Sequence, residues 1–95
     1  MSGEAERAGA SRHEVEERLC TYFPGAEFEL VDETHLHAGH AGAKGGASHF
    51  RLRIRHARFA GLKRLERHRL VYDAVTDWMP ARIHALSVVA LSPEE

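Results

Sequence analysis

One cysteine, three prolines and one tryptophan are found in the 95 residues. A lone Cys20 excludes an internal disulfide and any zinc or iron–sulfur centre held only by the thiolates of one chain. No apolar run approaches the ~20 residues of a membrane span. The opening MSGEAERAGASRHEVEE also lacks the apolar stretch of a secretory signal. The expectation is therefore a cytoplasmic protein with no membrane segment. No GxSxG, P-loop or GxGxxG sequence occurs, so neither a nucleophile elbow nor a phosphate-cradling loop can be placed. Carboxylates gather at 14–17 and 27–33 without marking an acid–base pair, and the chain is not expected to be an enzyme. Hydrophobic residues at 43% and charged residues at 28% are globular proportions, which argues against disorder. A chain of this length has room for one core.

Histidine is the abundant residue, eight in all. The sequence pI of about 6.7 lies where imidazoles titrate. The formal charge of −1 hides an asymmetry. Residues 51–69 carry Arg51, Arg53, Arg55, Arg58, Lys63, Arg64, Arg67 and Arg69 against Glu66 alone, a net +7, and the rest of the chain sums to −8. Such a block suits an anionic partner, either an acidic protein surface or nucleic acid; a solvated arginine-rich face is the plainer alternative.

Residues 1–10 are small, polar and Gly/Ala-rich, expected as a disordered tail before a domain over 11–95. Ser11 with Glu14 forms a capping-box pattern. Val15, Leu19, Tyr22 and Phe23 follow at helical spacing, giving a helix over about 12–22 that Pro24-Gly25 ends. Cys20 lies beside that stripe, and a buried inert thiol is its favoured reading. Residues 26–32 alternate, with Phe28 and Leu30 on one face and Glu27, Glu29 and Val31 on the other, as a half-buried strand does. Thr34 to Ser48 holds four glycines and reads as a long loop, flexible or functional. From His49 to His56 the alternation is clean, with Phe50, Leu52 and Ile54 inward and Arg51, Arg53 and Arg55 outward.

Phe59-Ala60-Gly61 makes a turn. Leu65, His68, Val71, Val75 and Trp78 then form one helical stripe within about 62–79, which Pro80 stops. His68 in that stripe is better read as a hydrogen-bonded core histidine than as a ligand. Ile83 to Leu91 is nearly all apolar, expected as a central strand or one covered on both faces. Ser92-Pro93-Glu94-Glu95 resembles the opening of a helix. The order is α-β-β-α-β. The first two strands can pair antiparallel, and the helical crossover lays the third parallel to the second. The fold class is α+β: a three-stranded mixed sheet with helices packed on one face.

Two constellations carry possible chemistry. His35, His37 and His40 read H-x-H-x-x-H ahead of Gly42, Gly45 and Gly46; imidazole suits zinc, iron, copper or nickel, and a glycine-rich loop can wrap an ion. Histidine-rich loops also arise from composition alone, and a plain zinc or copper buffer is a further reading of the motif. His84 stands in an apolar strand, where an unpartnered polar group costs roughly 1–3 kcal/mol.

D-E-T-H-L-H-A-G-H (32–40), S-H-F (48–50), F-A-G-L (59–62), R-H-R-L-V-Y (67–72) and I-H-A-L (83–86) occur in order. Together they resemble the BolA family from about residue 12 onward. The resemblance implies a BolA-like fold related to the type II KH domain. It further implies a non-enzymatic partner of monothiol glutaredoxins in iron–sulfur and iron handling. In such pairs a [2Fe–2S] cluster is shared with the glutaredoxin cysteine and glutathione, with no cluster held tightly by the isolated chain. The residues implied on this side are His84 and a loop histidine, His37 first and His40 second; His35 and His68 stand as structural or outlying groups. Several loop histidines where some relatives have one histidine or a cysteine leave the choice between them open.

The basic run Arg51, Arg53, Arg55, Lys63, Arg64, Arg67 and Arg69 would then steer the protein partner. The alternative is a KH-like, DNA-binding transcriptional regulator that uses the same residues. Gly61-Leu62-Lys63-Arg64 lacks the second glycine of a KH clamp. Alone, the chain is expected as a monomer or a weak homodimer.

Overall fold

The computed structural model describes residues 9–34 and 47–95. The elements run α1 (Arg12–Tyr22), β1 (Glu27–Asp32), β2 (Ser48–Arg55), a 3-10 turn (Ala57–Phe59), α2 (Arg64–Val75), a second 3-10 turn (Thr76–Trp78) and β3 (Ile83–Leu91). The α-β-β-α-β order is as the periodicity predicts. The sheet order is β1-β2-β3, antiparallel between β1 and β2 and parallel between β2 and β3.

Local chemistry sets the boundaries. Ser11 Oγ accepts the Glu14 N–H at 3.1 Å while the Glu14 carboxylate accepts the Ser11 N–H at 2.8 Å, so two orphan donors of α1 are satisfied reciprocally. Gly25 and Gly61 adopt φ of +79° and +76°, where a side chain is strained, and they close the turns after α1 and before α2. α2 is shorter than the 62–79 stretch its stripe suggests, because a 3-10 turn takes over at Thr76.

Both helices lie on one sheet face. Val15 and Leu19 of α1, Val71, Ala74 and Val75 of α2, and Leu52, Ile54 and Leu86 of the sheet form the core with Phe23 and Phe59. The other face is open. Glu27, Glu29, Arg51, Arg53, Ser87 and Val89 are all exposed on it.

Several expectations are corrected. β3 is an edge strand and not a central one, and its outer face is uncovered, with Val89 52% exposed. Among the described residues both helices lie in one layer, and none of them covers the second face at Val89. Leu65 is 61% exposed. Steps of three residues drift by about 60° around a helix, which carries Leu65 about 120° from Val71. Cys20 is exposed because it lies about 100° from Leu19, off the face that α1 buries. Ala10, assigned to the tail by the sequence, is part of the fold. Ala10 is buried, donates its N–H to the Arg82 carbonyl at 3.0 Å and accepts the Ser48 hydroxyl at 2.6 Å. The tail over 1–8 lies outside the described residues.

No helix among the described residues is long and apolar enough to cross a membrane.

Candidate functional site

The end of the sheet where β1 finishes and β2 begins carries a group of polar residues tied together by hydrogen bonds. Thr34 turns back on Asp32, whose Oδ1 accepts the Thr34 N–H and hydroxyl. Thr34 Oγ1 in turn accepts the His49 N–H at 3.1 Å, and the His49 carbonyl accepts the Glu33 N–H at 2.7 Å. The Ser48 N–H donates to the Arg82 carbonyl at 2.9 Å. The backbone at Ser48 and His49 is therefore fixed from both sides.

His84 owes its position to an irregularity. Ser48 pairs with Ile83 but His49 pairs with Ala85, so β3 carries one extra residue there, and that residue is His84. Ile83 is buried, His84 and Ala85 are both exposed, and alternation resumes at Leu86, Val88 and Ala90. A bulge of this kind re-aims a side chain at a local cost in ladder pairing. It lets an apolar strand carry an imidazole without burying it. The His84 ring lies 5.1 Å from that of His49, with the planes at 48°.

His49 is only 5% exposed although it alternates with the core residue Phe50 and shares the side of Arg51. It is the site residue that the sequence reading misses. In a strand whose outward positions are arginines it passes for one more outward polar residue. Only the parallel register, offset by the bulge, brings it beside His84.

His35, His37 and His40 lie outside the described residues. The chain leaves the described region at Thr34 and re-enters at Ala47, both at the end of the sheet that holds His49 and His84. Among the described residues, no three His, Cys, Asp or Glu side chains converge where a metal could be held. The donor set there is two imidazoles.

His68 is not part of this group. It stands edge-on to Tyr72, ring centroids 6.4 Å apart, and lines a cleft of about 420 Å³ with Arg64, Arg67 and Val88 to Leu91. Val88 is four residues along β3 from His84, roughly 13 Å at 3.3 Å per residue. In the same region α2 caps the free edge of β3. The Tyr72 hydroxyl donates to the Leu86 carbonyl, and Arg67 donates to the Ala90 carbonyl at 3.0 Å.

The basic run does not form one surface. Arg51, Arg53 and Arg55 lie on the open sheet face, whereas Lys63, Arg64, Arg67 and Arg69 belong to α2 and its cap. On the sheet, Arg51 pairs with Glu33 at 3.0 Å, Arg55 with Glu27 at 3.5 Å, and Arg53 sits in register with Glu29. Arg67 is turned inward, 14% exposed, against the Glu95 carboxylate. That carboxyl is held down to about 2, first by the Ser92 N–H and then by Arg67. Lys63, Arg64 and Arg69 remain exposed.

Comparison with known proteins agrees with the fold. Residues 19–95 match the family model described as BolA-like protein. The chain is 38% identical over 92 residues to SufE-like protein 1, chloroplastic/mitochondrial, of Arabidopsis thaliana, covering 92% of this chain and 25% of that one. It is 34% identical over 77 residues to the DNA-binding transcriptional regulator BolA of Escherichia coli, covering 81% of this chain and 70% of that one. Among solved structures, the BolA domain of SufE1 from Arabidopsis thaliana superposes with a TM-score of 0.77 at 39% identity, over 92% of this chain and 98% of that one. The chain thus spans about a quarter of the SufE-like relative's full length.

Proposed function

The chain belongs to the BolA family, and from that premise we propose that it is a non-enzymatic adaptor in iron–sulfur handling. Its partner is a monothiol glutaredoxin, and with it the chain co-ligates a [2Fe–2S] cluster also held by glutathione. The ligands on this side are His84 and one of His37 and His40. The observation that supports this reading is the bulge that brings an imidazole out of an apolar strand onto an open face. The donor chemistry fits as well. A [2Fe–2S] centre takes four ligands, imidazoles replace half of them in Rieske-type centres, and such substitution raises the potential. Two histidines from this chain leave two positions for thiolates of the partner and glutathione. His84 at the surface is reachable by a docked partner without rearrangement of the core.

Anaerobic cluster reconstitution of the chain with a monothiol glutaredoxin and glutathione, read by visible circular dichroism, tests the proposal. The expected result is a spectrum distinct from that of the glutaredoxin homodimer and lost with His84→Ala. Because His84 is exposed, the variant's melting temperature should stay within about 2–4 °C of the parent's. A spectrum identical to that of the glutaredoxin alone would remove the adaptor reading.

DNA binding, by analogy with the DNA-binding transcriptional regulator BolA of Escherichia coli, is the second reading. Exposure of Lys63, Arg64 and Arg69 favours the α2 surface for it. The paired arginines of the sheet speak against the open face.

A further inference from the structure

We propose that His49 is a positioning residue for His84: its ring is a fixed wall that holds the His84 imidazole in one orientation for the shared cluster. The proposal rests on the cluster reading above and adds a residue that does not itself touch the cluster. The two rings lie 5.1 Å apart with their planes at 48°. This is ordinary tilted contact, inside the about 4.5–7 Å that ring pairs span. Such a contact orients a side chain with no metal or hydrogen bond between the rings.

The two histidines are held very differently. His49 sits on β2, the central strand, and is 5% exposed. Its N–H donates to Thr34 Oγ1 at 3.1 Å, and its carbonyl accepts the Glu33 N–H at 2.7 Å. Beside it, Ser48 donates its N–H to the Arg82 carbonyl and its hydroxyl to the Ala10 carbonyl. A ring so enclosed keeps one rotamer and lies out of a partner's reach. His84 sits on the edge strand β3 and is exposed. An exposed imidazole otherwise samples several staggered rotamers and gives up that freedom on binding. Contact with an immobile ring narrows the choice beforehand, so less is lost when the cluster forms. Groups that orient a ligand without touching the metal are a general means of tuning a centre.

Cluster reconstitution with a monothiol glutaredoxin and glutathione is repeated on the full chain carrying His49→Leu, which fills the space without a flat ring, or His49→Phe, which restores the ring. The readouts are the visible circular dichroism bands and the rate at which a chelator removes iron, with melting temperatures taken on the same samples. His49→Leu should shift the bands and speed iron loss about three- to tenfold, the worth of a ring contact written as a ratio. His49→Phe should stay within about twofold of the parent. Iron loss unchanged by His49→Leu, with the spectrum still abolished by His84→Ala, would overturn the positioning role and leave the cluster reading standing. Equal acceleration by His49→Leu and His49→Phe would overturn it too, since the ring face would then not be what orients His84. A parent that gives only the glutaredoxin homodimer spectrum would remove both readings. Should either variant fail to fold, side-chain couplings and ring-to-ring proton contacts in the parent chain alone decide. One dominant His84 rotamer against the His49 ring is expected, and averaging over several rotamers overturns the proposal.

Discussion

The carboxylate of Glu95 shows how much one side chain can gather. It accepts the Ser92 N–H at 2.6 Å and meets the Arg67 guanidinium, itself tied to the carbonyls of Leu62 and Ala90. Its pKa is lowered from 4.5 to about 2. A depressed carboxyl contributes stability that is fully present above the ordinary value and is lost as pH falls through the folded one. Glu95→Gln should therefore be less stable than the parent by a constant margin above about pH 4.5, and the margin should close toward pH 2. Urea midpoints at pH 7, 4 and 2.5 measure this; a margin that does not narrow on acidification would show that the charge contributes nothing. At this scale the sequence is least legible. Cys20, Leu65 and His49 are each judged by their neighbours in a pattern, yet each is decided by which way a helix rotates or a register slips. His84 belongs with them, because its apolar neighbours suggest a strand interior and the bulge exposes it.

Elements are legible where local chemistry and periodicity agree. β1 alternates over Glu27 to Leu30 and β2 from Phe50 to Ile54, with the inward and outward sets expected there, while His49 is buried at an outward position. α1 starts where Ser11 and Glu14 say it should. Glu14 does a second job there, accepting from Arg82 at 2.9 Å, and its carboxyl is held below the ordinary value first by the Ser11 N–H and also by Arg82. Ser11→Ala should cost about 1 kcal/mol, read as a lower urea midpoint at unchanged slope. Ser11→Asp should recover most of it, since a carboxylate caps as well and favours the positive end of the helix. Equal stability of the parent and Ser11→Ala would mean that α1 is fixed by packing alone. β3 is the element whose extent is legible and whose environment is not. Its apolar string suits a strand between two layers, and the bulge that separates Ile83 from Leu86 leaves no mark in composition.

Across the whole molecule, charge is balanced by topology and not by sequence position. The run from 51 to 69 is strongly basic along the chain. The antiparallel pairing nevertheless lays Glu27, Glu29 and Glu33 alongside Arg55, Arg53 and Arg51, so the open face is close to neutral. Phosphate-driven binding scales with the cations free to displace counterions. A neutral face supplies few, however many arginines it displays. Replacing Glu27 and Glu29 together by Gln should uncover two arginines without disturbing the buried face of β1, because both glutamates are exposed. Duplex DNA should then bind more tightly at 50 mM salt, and the slope of log affinity against log salt should steepen by about 1.8, the value for two added phosphate contacts. Fluorescence anisotropy across 50 to 200 mM salt measures both quantities. A parent chain that already binds through the sheet, with a slope unchanged by the double substitution and sensitive to Arg53→Ala, would show that the cross-strand pairs do not neutralise the face. A slope that instead falls with Lys63→Ala and Arg64→Ala would assign the phosphate contacts to α2, leaving the sheet and its histidine end free for a protein partner.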